Sequence, residues 1–135
     1  MNYKIEQKLD EWSYKVEQEN LITWSNVLND PNPIHLDNKT VKKLGLGDKC
    51  INQGPANIAY ILNCISSNFK DYQLIEVKNK LNGNVFSGDK IVVEGKISDI
   101  ENHKNFLIIS LLLGLNTQNQ SSVLLTEAKI RIPNH

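Results

Sequence analysis

Between Gly54 and Ser67 the chain reads GPANIAYILNCISS, a stretch with a helical period and almost no polar face. Pro55 suits the first turn of a helix, where a missing N–H costs nothing. Ile58, Ile61, Leu62 and Ile65 recur at i, i+3, i+4 and i+7, the spacing of one helical face. Ala56, Ala59, Tyr60 and Cys64 make most of the remaining surface apolar as well. A helix apolar nearly all round has to be buried, so another part of the chain must wrap it. The second half offers the wrapper: Tyr72 to Val85, Lys90 to Ile100, Asn105 to Leu115 and Val123 to Ile132 are rich in Val, Ile, Leu and Phe. Turn-like Ser87-Gly88-Asp89, Glu101 to Lys104 and Asn116 to Ser122 separate them, which predicts four long antiparallel strands in a meander. Trp12, Tyr14 and Val16 alternate over residues 11–18 and predict a fifth strand at the start. The expected architecture is α+β, an antiparallel sheet curled around one central helix, with residues 1–135 forming one domain.

The stretch between the first predicted strand and the central helix is where chemistry-bearing residues gather. Asn20 is placed to cap a helix with apolar Leu21, Trp24, Val27 and Leu28 at offsets of three, six and seven, and Asn29 stops it. Asp37 or Asn38 can cap a short helix through Val41 and Leu44 that Gly45 closes. Between the two lies Asp30-Pro31-Asn32-Pro33-Ile34-His35-Leu36-Asp37. Its two prolines forbid helix across it and stiffen the turn, so an acid and an imidazole sit five positions apart on a rigid loop. Asp and His are the side chains best suited to move protons near neutral pH.

Charge excludes several functions. Lys plus Arg and Asp plus Glu both number 15, for a formal net charge of zero, so there is no broad electrostatic footprint for nucleic acid or an anionic membrane. Arg131 is the one arginine, which leaves lysine point charges to meet any phosphate. Met1 to Leu9 has no apolar stretch of the secretory kind, and no apolar run approaches membrane-spanning length; a cytoplasmic location is expected. Cys50 and Cys64 are too few and unpatterned for a zinc site or a disulfide framework, so no metal is expected and both read as small core hydrophobes.

One helix inside a curled antiparallel sheet is the hot-dog architecture, and the loop narrows it further. Trp24, Val27 and the run from Asp30 to Asp37 resemble the signature of MaoC-like dehydratases and (R)-specific enoyl-CoA hydratases, in which an aromatic residue precedes an Asp-x-Asn-Pro-x-His core by six positions. Gly54 at the central helix start and Asn84-Val85-Phe86-Ser87-Gly88-Asp89 before a strand fit the family's layout. The resemblance implies that Asp30 and His35 are a catalytic pair acting on an acyl thioester of coenzyme A or of an acyl carrier protein, with no cofactor. They would hold one water for syn addition across a trans-2-enoyl double bond, or for its removal from a (3R)-hydroxyacyl group. Asn32 resembles the residue that supports the loop, and the backbone N–H of Gly54 the donor to the thioester carbonyl. The family usually has Ser or Thr and then Gly before the acid, where this chain has Leu28 and Asn29. Asn tolerates the left-handed region, so the turn is expected to survive. A homodimer that joins two sheets is expected as well.

The chemistry of the residues agrees with that implication. Proton abstraction beside a thioester requires a base, a donor to the enolate oxygen and an acid for the departing hydroxyl. A helix N-terminus directs free N–H groups and the positive end of its dipole at an anion, and glycine lets a substrate come close. Pro55 removes one further donor from that terminus. Two other functions suit the same architecture. A hot-dog thioesterase usually carries its acid on the central helix, and residues 55–67 contain no Asp or Glu. An acyl-binding or carrier-docking protein would keep the fold without turnover. Elsewhere, Asp37 is expected to cap its helix, Asp89 to serve its turn, and His103 and His135 to be solvated. Trp12 and Trp24 are expected to pack, Lys42, Lys43 and Lys49 to form a solvated face, and Tyr60 and Asn57 fit a tunnel wall and a core equally.

Overall fold

The computed structural model describes residues 2–134. Its elements in chain order are β1 (Trp12–Lys15), α1 (Gln18–Leu28), α2 (Asn38–Lys43), α3 (Gly54–Asn68), β2 (Gln73–Leu81), β3 (Lys90–Asn102), β4 (Phe106–Thr117) and β5 (Leu124–Pro133), with a 3-10 turn at Pro33–His35. The helix expected from Gly54 to Ser67 is α3. It lies against β1, β3, β4 and β5, and Ala56, Asn57, Tyr60, Ile61, Cys64 and Ile65 are its buried residues. Ile58 and Leu62, expected on the deepest face, are half-buried; the stripe that meets the sheet is centred on Ile61 and Ile65 instead. The strands answer with Ile91, Val93 and Ile97 from β3, Ile109, Leu111 and Leu115 from β4, and Leu124 and Ile130 from β5, all buried. Each such side chain contributes roughly 1.5–3 kcal/mol relative to exposure, so the contact between α3 and the concave face is the main source of stability. In β5 burial alternates residue by residue, as a sheet with one covered face requires.

The expected meander is only partly present. Strand order is β1-β3-β4-β5-β2, with every pairing antiparallel. The meander holds for β3, β4 and β5, but β2 pairs with β5 at one edge, and β3 begins near the other. The cause lies in residues 82–89. The predicted strand from Tyr72 to Val85 ends at Leu81 because Asn82 N–H and Gly83 N–H both donate to the Val123 carbonyl. Val85 then accepts from Asn52 N–H at 2.7 Å, Ser87 N–H donates to the Cys50 carbonyl, and Gly88 N–H donates to the Val16 carbonyl. These backbone bonds draw the connection away from a hairpin. Bulges between Ile97 and Asp99 in β3 and between Leu74 and Glu76 in β2 add twist to the curled sheet.

The first third of the chain also departs from expectation in detail. The strand predicted over 11–18 is confined to β1, and α1 starts before Asn20. Glu17 is the N-cap residue, and Asn20 sits in the first turn with its Oδ1 accepting from Glu17 N–H at 2.9 Å. Leu21 and Ser25 are the buried residues of α1, whereas Val27 is 72% exposed. Six residues on, Val27 lies about 120° round the helix from Leu21, off the buried stripe, while Ser25 lies nearly beneath it. Trp12 stacks on Tyr14 and Tyr60 with centroids 5.7 Å away in each case, the packing role expected of it.

Gly95 in β3 faces Leu113 of β4. A Cβ there would come 2.8 Å from the Leu112 carbonyl oxygen and 2.9 Å from Leu113 Cγ, distances that backbone cannot yield to. Gly95→Ala is therefore expected to lower unfolding stability by about 1–3 kcal/mol, measured by urea titration followed by circular dichroism.

Candidate active site

Asn29 ends α1 in the left-handed conformation, φ 51° and ψ 46°, as its side chain permits. The reversal lets Asp30 N–H donate to the Ser25 carbonyl at 2.9 Å, so the acid leaves the helix on a fixed bearing. Asp30 Oδ1 accepts from Asn32 N–H and Asn32 Oδ1 from Ile34 N–H, both at 3.2 Å. The two side chains thus cap successive turns of a proline-stiffened loop. The Asn32 carbonyl accepts from His35 N–H at 3.1 Å, and Gln18 Nε2 donates to the His35 carbonyl at 3.0 Å. The Asn32 side chain thus caps the turn at Pro33–His35.

His35 and Asp30 meet: Nε2 lies 3.2 Å from Asp30 Oδ2. The ring is buried, and the Asp30 side chain is 41% exposed, so one partner is fixed in the protein while the other reaches solvent. His35 Nδ1 lies 2.6 Å from the Ile51 carbonyl oxygen. A carbonyl only accepts, so Nδ1 carries a proton, and Nε2 is left to exchange one with Asp30. Nε2 and the carboxylate oxygen at 3.2 Å are within hydrogen-bond reach, so the geometry allows a proton on either to pass to the other. Ile51 N–H donates in turn to the Ile34 carbonyl at 2.9 Å, which holds the imidazole from both ends of one short ladder.

Gly54 is the first residue of α3, with Gln53 as N-cap and Pro55 following. Ala56 N–H and Asn57 N–H both donate to the Gln53 carbonyl at 3.1 Å and 3.3 Å, and Pro55 has none to give. The Gly54 N–H has no acceptor among the described residues, leaving it as the open donor at the positive end of α3. A Cβ on Gly54 would first meet Leu81 Cδ1, at 3.8 Å, so its surroundings are open on other sides. Asn52 and Gln53 separate it from Ile51, so the open donor and the carbonyl that holds the imidazole lie on one short segment, at most about 11 Å of chain apart. The Asp30 and Gly54 groups are two halves of one candidate site.

Other side chains fall where packing places them. Asp37 caps α2, its carboxylate taking Lys39 N–H at 3.0 Å and Thr40 Oγ1 at 2.9 Å. Asp89 accepts from Phe86 N–H at 2.8 Å and Gln118 Nε2 at 2.9 Å inside its turn. Asn57 and Tyr60 are buried around Asn52 Nδ2, a core placement rather than a tunnel wall, and burial pushes the Tyr60 hydroxyl above its usual range. His103 is exposed and stacked on Phe106 with centroids 4.4 Å apart; His135 lies outside the described residues. Lys42, Lys43 and Lys49 are exposed. Among the described residues no group of three His, Cys, Asp or Glu side chains could hold a metal ion. None of their helices is long and apolar enough to cross a membrane. The Ile51 carbonyl and the buried side chains of Ser25 and Gln53 went unseen in the sequence, because a backbone acceptor and a lone amide carry no pattern.

The fold is the hot-dog fold of the (R)-hydratases and MaoC-like dehydratases, five antiparallel strands around one long helix. Among solved structures, an (R)-hydratase from A. caviae involved in PHA biosynthesis superposes with a TM-score of 0.81 at 20% identity, covering 96% of this chain and 97% of that one. A MaoC-like dehydratase from Rhodospirillum rubrum gives 0.82 at 17% identity, covering 98% and 94%. The ChsH1-ChsH2 complex from Mycobacterium tuberculosis gives 0.83 at 8% identity, covering 96% and 98%. No family model matches the sequence, and no curated protein does. What is shared at these identities is the backbone, so the chemistry has to be argued from this chain's own side chains.

The two thiols are free and buried. Burial pushes both up, Cys64 to about 11, and the thiolate is the reactive form. A raised thiol contributes stability that is present below its ordinary value of 9.0 and lost as pH climbs towards about 11. Native protein at pH 8 is expected to leave Ellman's reagent unreacted over minutes, with both thiols titrating once urea is added.

Proposed function

We propose that the protein is an (R)-specific enoyl-thioester hydratase, working in reverse as a (3R)-hydroxyacyl-thioester dehydratase. The observation that carries this reading is the Asp30–His35 pair at 3.2 Å, with Nδ1 committed to the Ile51 carbonyl and the open Gly54 N–H at the adjoining helix start. Hydration needs what those groups offer. One member of the pair takes a proton from a water held against the pair as the water oxygen bonds to C3 of the enoyl group. The C2–C3 π electrons move towards C2 and into the thioester carbonyl, and the Gly54 N–H donates to the enolate oxygen that forms. The carbonyl re-forms as C2 takes a proton from the pair on the same face, which makes the addition syn and returns the pair to its starting charge. Dehydration runs the same steps backwards. Which residue handles which proton depends on where the substrate lies, and the reaction needs no cofactor.

The substrate would be an acyl group on coenzyme A or an acyl carrier protein, the class to which one structurally similar protein, the HadBC (3R)-hydroxyacyl-ACP dehydratase complex, belongs. A homodimer is part of the proposal. β2 forms one edge of the sheet, and all its residues except Val77 are exposed, including Leu74, Ile75 and Leu81. A nine-residue edge strand that exposes three large apolar side chains among its charges is suited to pairing with its own copy. Leu81 ends that strand beside Gly54, so the second subunit would roof the site on the side the first leaves open.

Crotonyl-CoA separates the competing functions. A hydratase removes the enoyl absorbance, a thioesterase releases free thiol, and an acyl-binding protein does neither. Asp30→Asn and His35→Ala are each expected to lower hydration by at least about 10²-fold, the usual weight of a positioned acid or base; full activity in either variant refutes the assignment. In sedimentation equilibrium the protein is expected to behave as a dimer, and a monomer at micromolar concentration would exclude the roofed site.

A further inference from the structure

Ile51 to Gly54 carries the carbonyl that holds His35 and the open N–H, and its third member bonds to the helix that precedes the acid. The Gln53 side chain is 1% exposed and crosses from the start of α3 to α1. There Nε2 donates to the Leu21 carbonyl at 2.8 Å and to Ser25 Oγ at 3.0 Å. Ser25 is the residue whose carbonyl accepts from Asp30 N–H at 2.9 Å. Ile51 holds His35 through its carbonyl, and Gly54 supplies the open N–H. The residue between them thus connects that same segment to the acid through α1.

A second observation concerns the other end of the amide. Gln53 Oε1 is buried and has no hydrogen-bond partner among the described residues. Turning the amide over would set this oxygen against the Leu21 carbonyl oxygen, so the orientation is dictated by the two acceptors on Nε2. A buried carbonyl without a donor costs stability, and an apolar residue would fill the space without that cost. Local rules broken in this way are expected beside functional groups.

We propose that Gln53 is a positioning residue: by fastening α1 at Leu21 and Ser25 to the start of α3, it sets the separation between Asp30 and the Gly54 N–H without touching substrate. The inference rests on reading Asp30, His35 and Gly54 as one active site. Gln53→Met keeps the length of the side chain and removes both donors. In crotonyl-CoA hydration it is expected to lower kcat by about 10- to 100-fold with KM within about twofold, the signature of displaced catalytic groups rather than lost substrate contacts. Its melting temperature should stay level or rise. Ser25→Ala, which removes one of the two acceptors, is expected to lower kcat by about threefold or more.

A readout independent of turnover is the 15N resonance of His35 Nε2, which reports the contact with Asp30. It should shift in Gln53→Met and stay in place in Ile61→Val, a core change in the same helix. An unshifted resonance with kcat unchanged overturns the proposal, as does a raised KM with an unshifted resonance. A shifted resonance in a protein that never hydrates crotonyl-CoA refutes the hydratase reading and leaves the positioning role standing. Should Gln53→Met fail to fold, kcat and the His35 resonance of Ser25→Ala decide by the same criteria.

Discussion

The backbone ladder at Cys50, Ile51 and Asn52 is the constraint on which the rest of the molecule turns. Ile51 N–H holds the Ile34 carbonyl, Asn52 N–H holds the Val85 carbonyl, and the Cys50 carbonyl holds Ser87 N–H. The Ile51 carbonyl holds the His35 ring. Four contacts from three residues fasten the acid–imidazole loop, the β2–β3 connection and the start of α3 to one another. Each bond alone contributes only about 1 kcal/mol net, but left unmade these buried groups would each carry the cost of lost hydration. The ladder therefore decides where the loop can sit, and with it the distance between a proton-carrying pair and an open helix N-terminus.

Packing energy and site geometry come from different parts of the same helix. Ile61, Cys64 and Ile65 in the middle of α3 are fully buried against the sheet, which fixes the helix axis and tolerates no rotation of a large side chain out of register. At the N-terminus the helix changes character. Gly54 is half-buried, Pro55 exposed, and Gln53 and Asn52 are buried amides with an unpartnered oxygen each. Stability is concentrated where the helix is apolar, and the polar groups at its start are held by hydrogen bonds to α1 and to the helix itself. The exposed β2 edge follows the same division, since α3 packs mainly against the other four strands and every residue of β2 except Val77 is exposed.

Much of the loop could be read directly. Pro31 and Pro33 keep α-helix out but not the 3-10 turn that begins at Pro33, Asn29 accepts a left-handed conformation, Asp37 caps α2 and Gly45 closes it with φ 70°; each is a local preference that needs no distant partner. Asp30 and His35 were singled out together through the family signature, but their direct contact at 3.2 Å was not legible, because it depends on where the Ile51 carbonyl sets the ring. The errors share one cause. Val27 was put on the buried face of α1 from apolar character, yet it is Ser25 that the helical period places beneath Leu21. The β2–β3 hairpin was inferred from adjacency, although residues 82–89 bond to the segment around Cys50. Neither Gln53 nor the Ile51 carbonyl stood out, since a lone amide and a peptide oxygen acquire meaning only from what lies across from them.

The sequence by itself determined that α3 must be enclosed, that strands from the second half would enclose it, and that the segment from Asp30 to His35 is a rigid loop bearing an acid and an imidazole. Those properties follow from periodicity and from backbone restrictions, which act over a few residues. Only the tertiary structure decided that β2 lies at the far edge of the sheet, that the Ile51 carbonyl commits Nδ1 and frees Nε2 for Asp30, and that Gln53 joins the acid's helix to the donor's. The hydrogen bonds behind them join residues 16 positions apart for His35 and Ile51, 32 for Leu21 and Gln53 and 41 for Asn82 and Val123. A bond of that kind depends on where the packed core brings two backbones together, which no local pattern encodes.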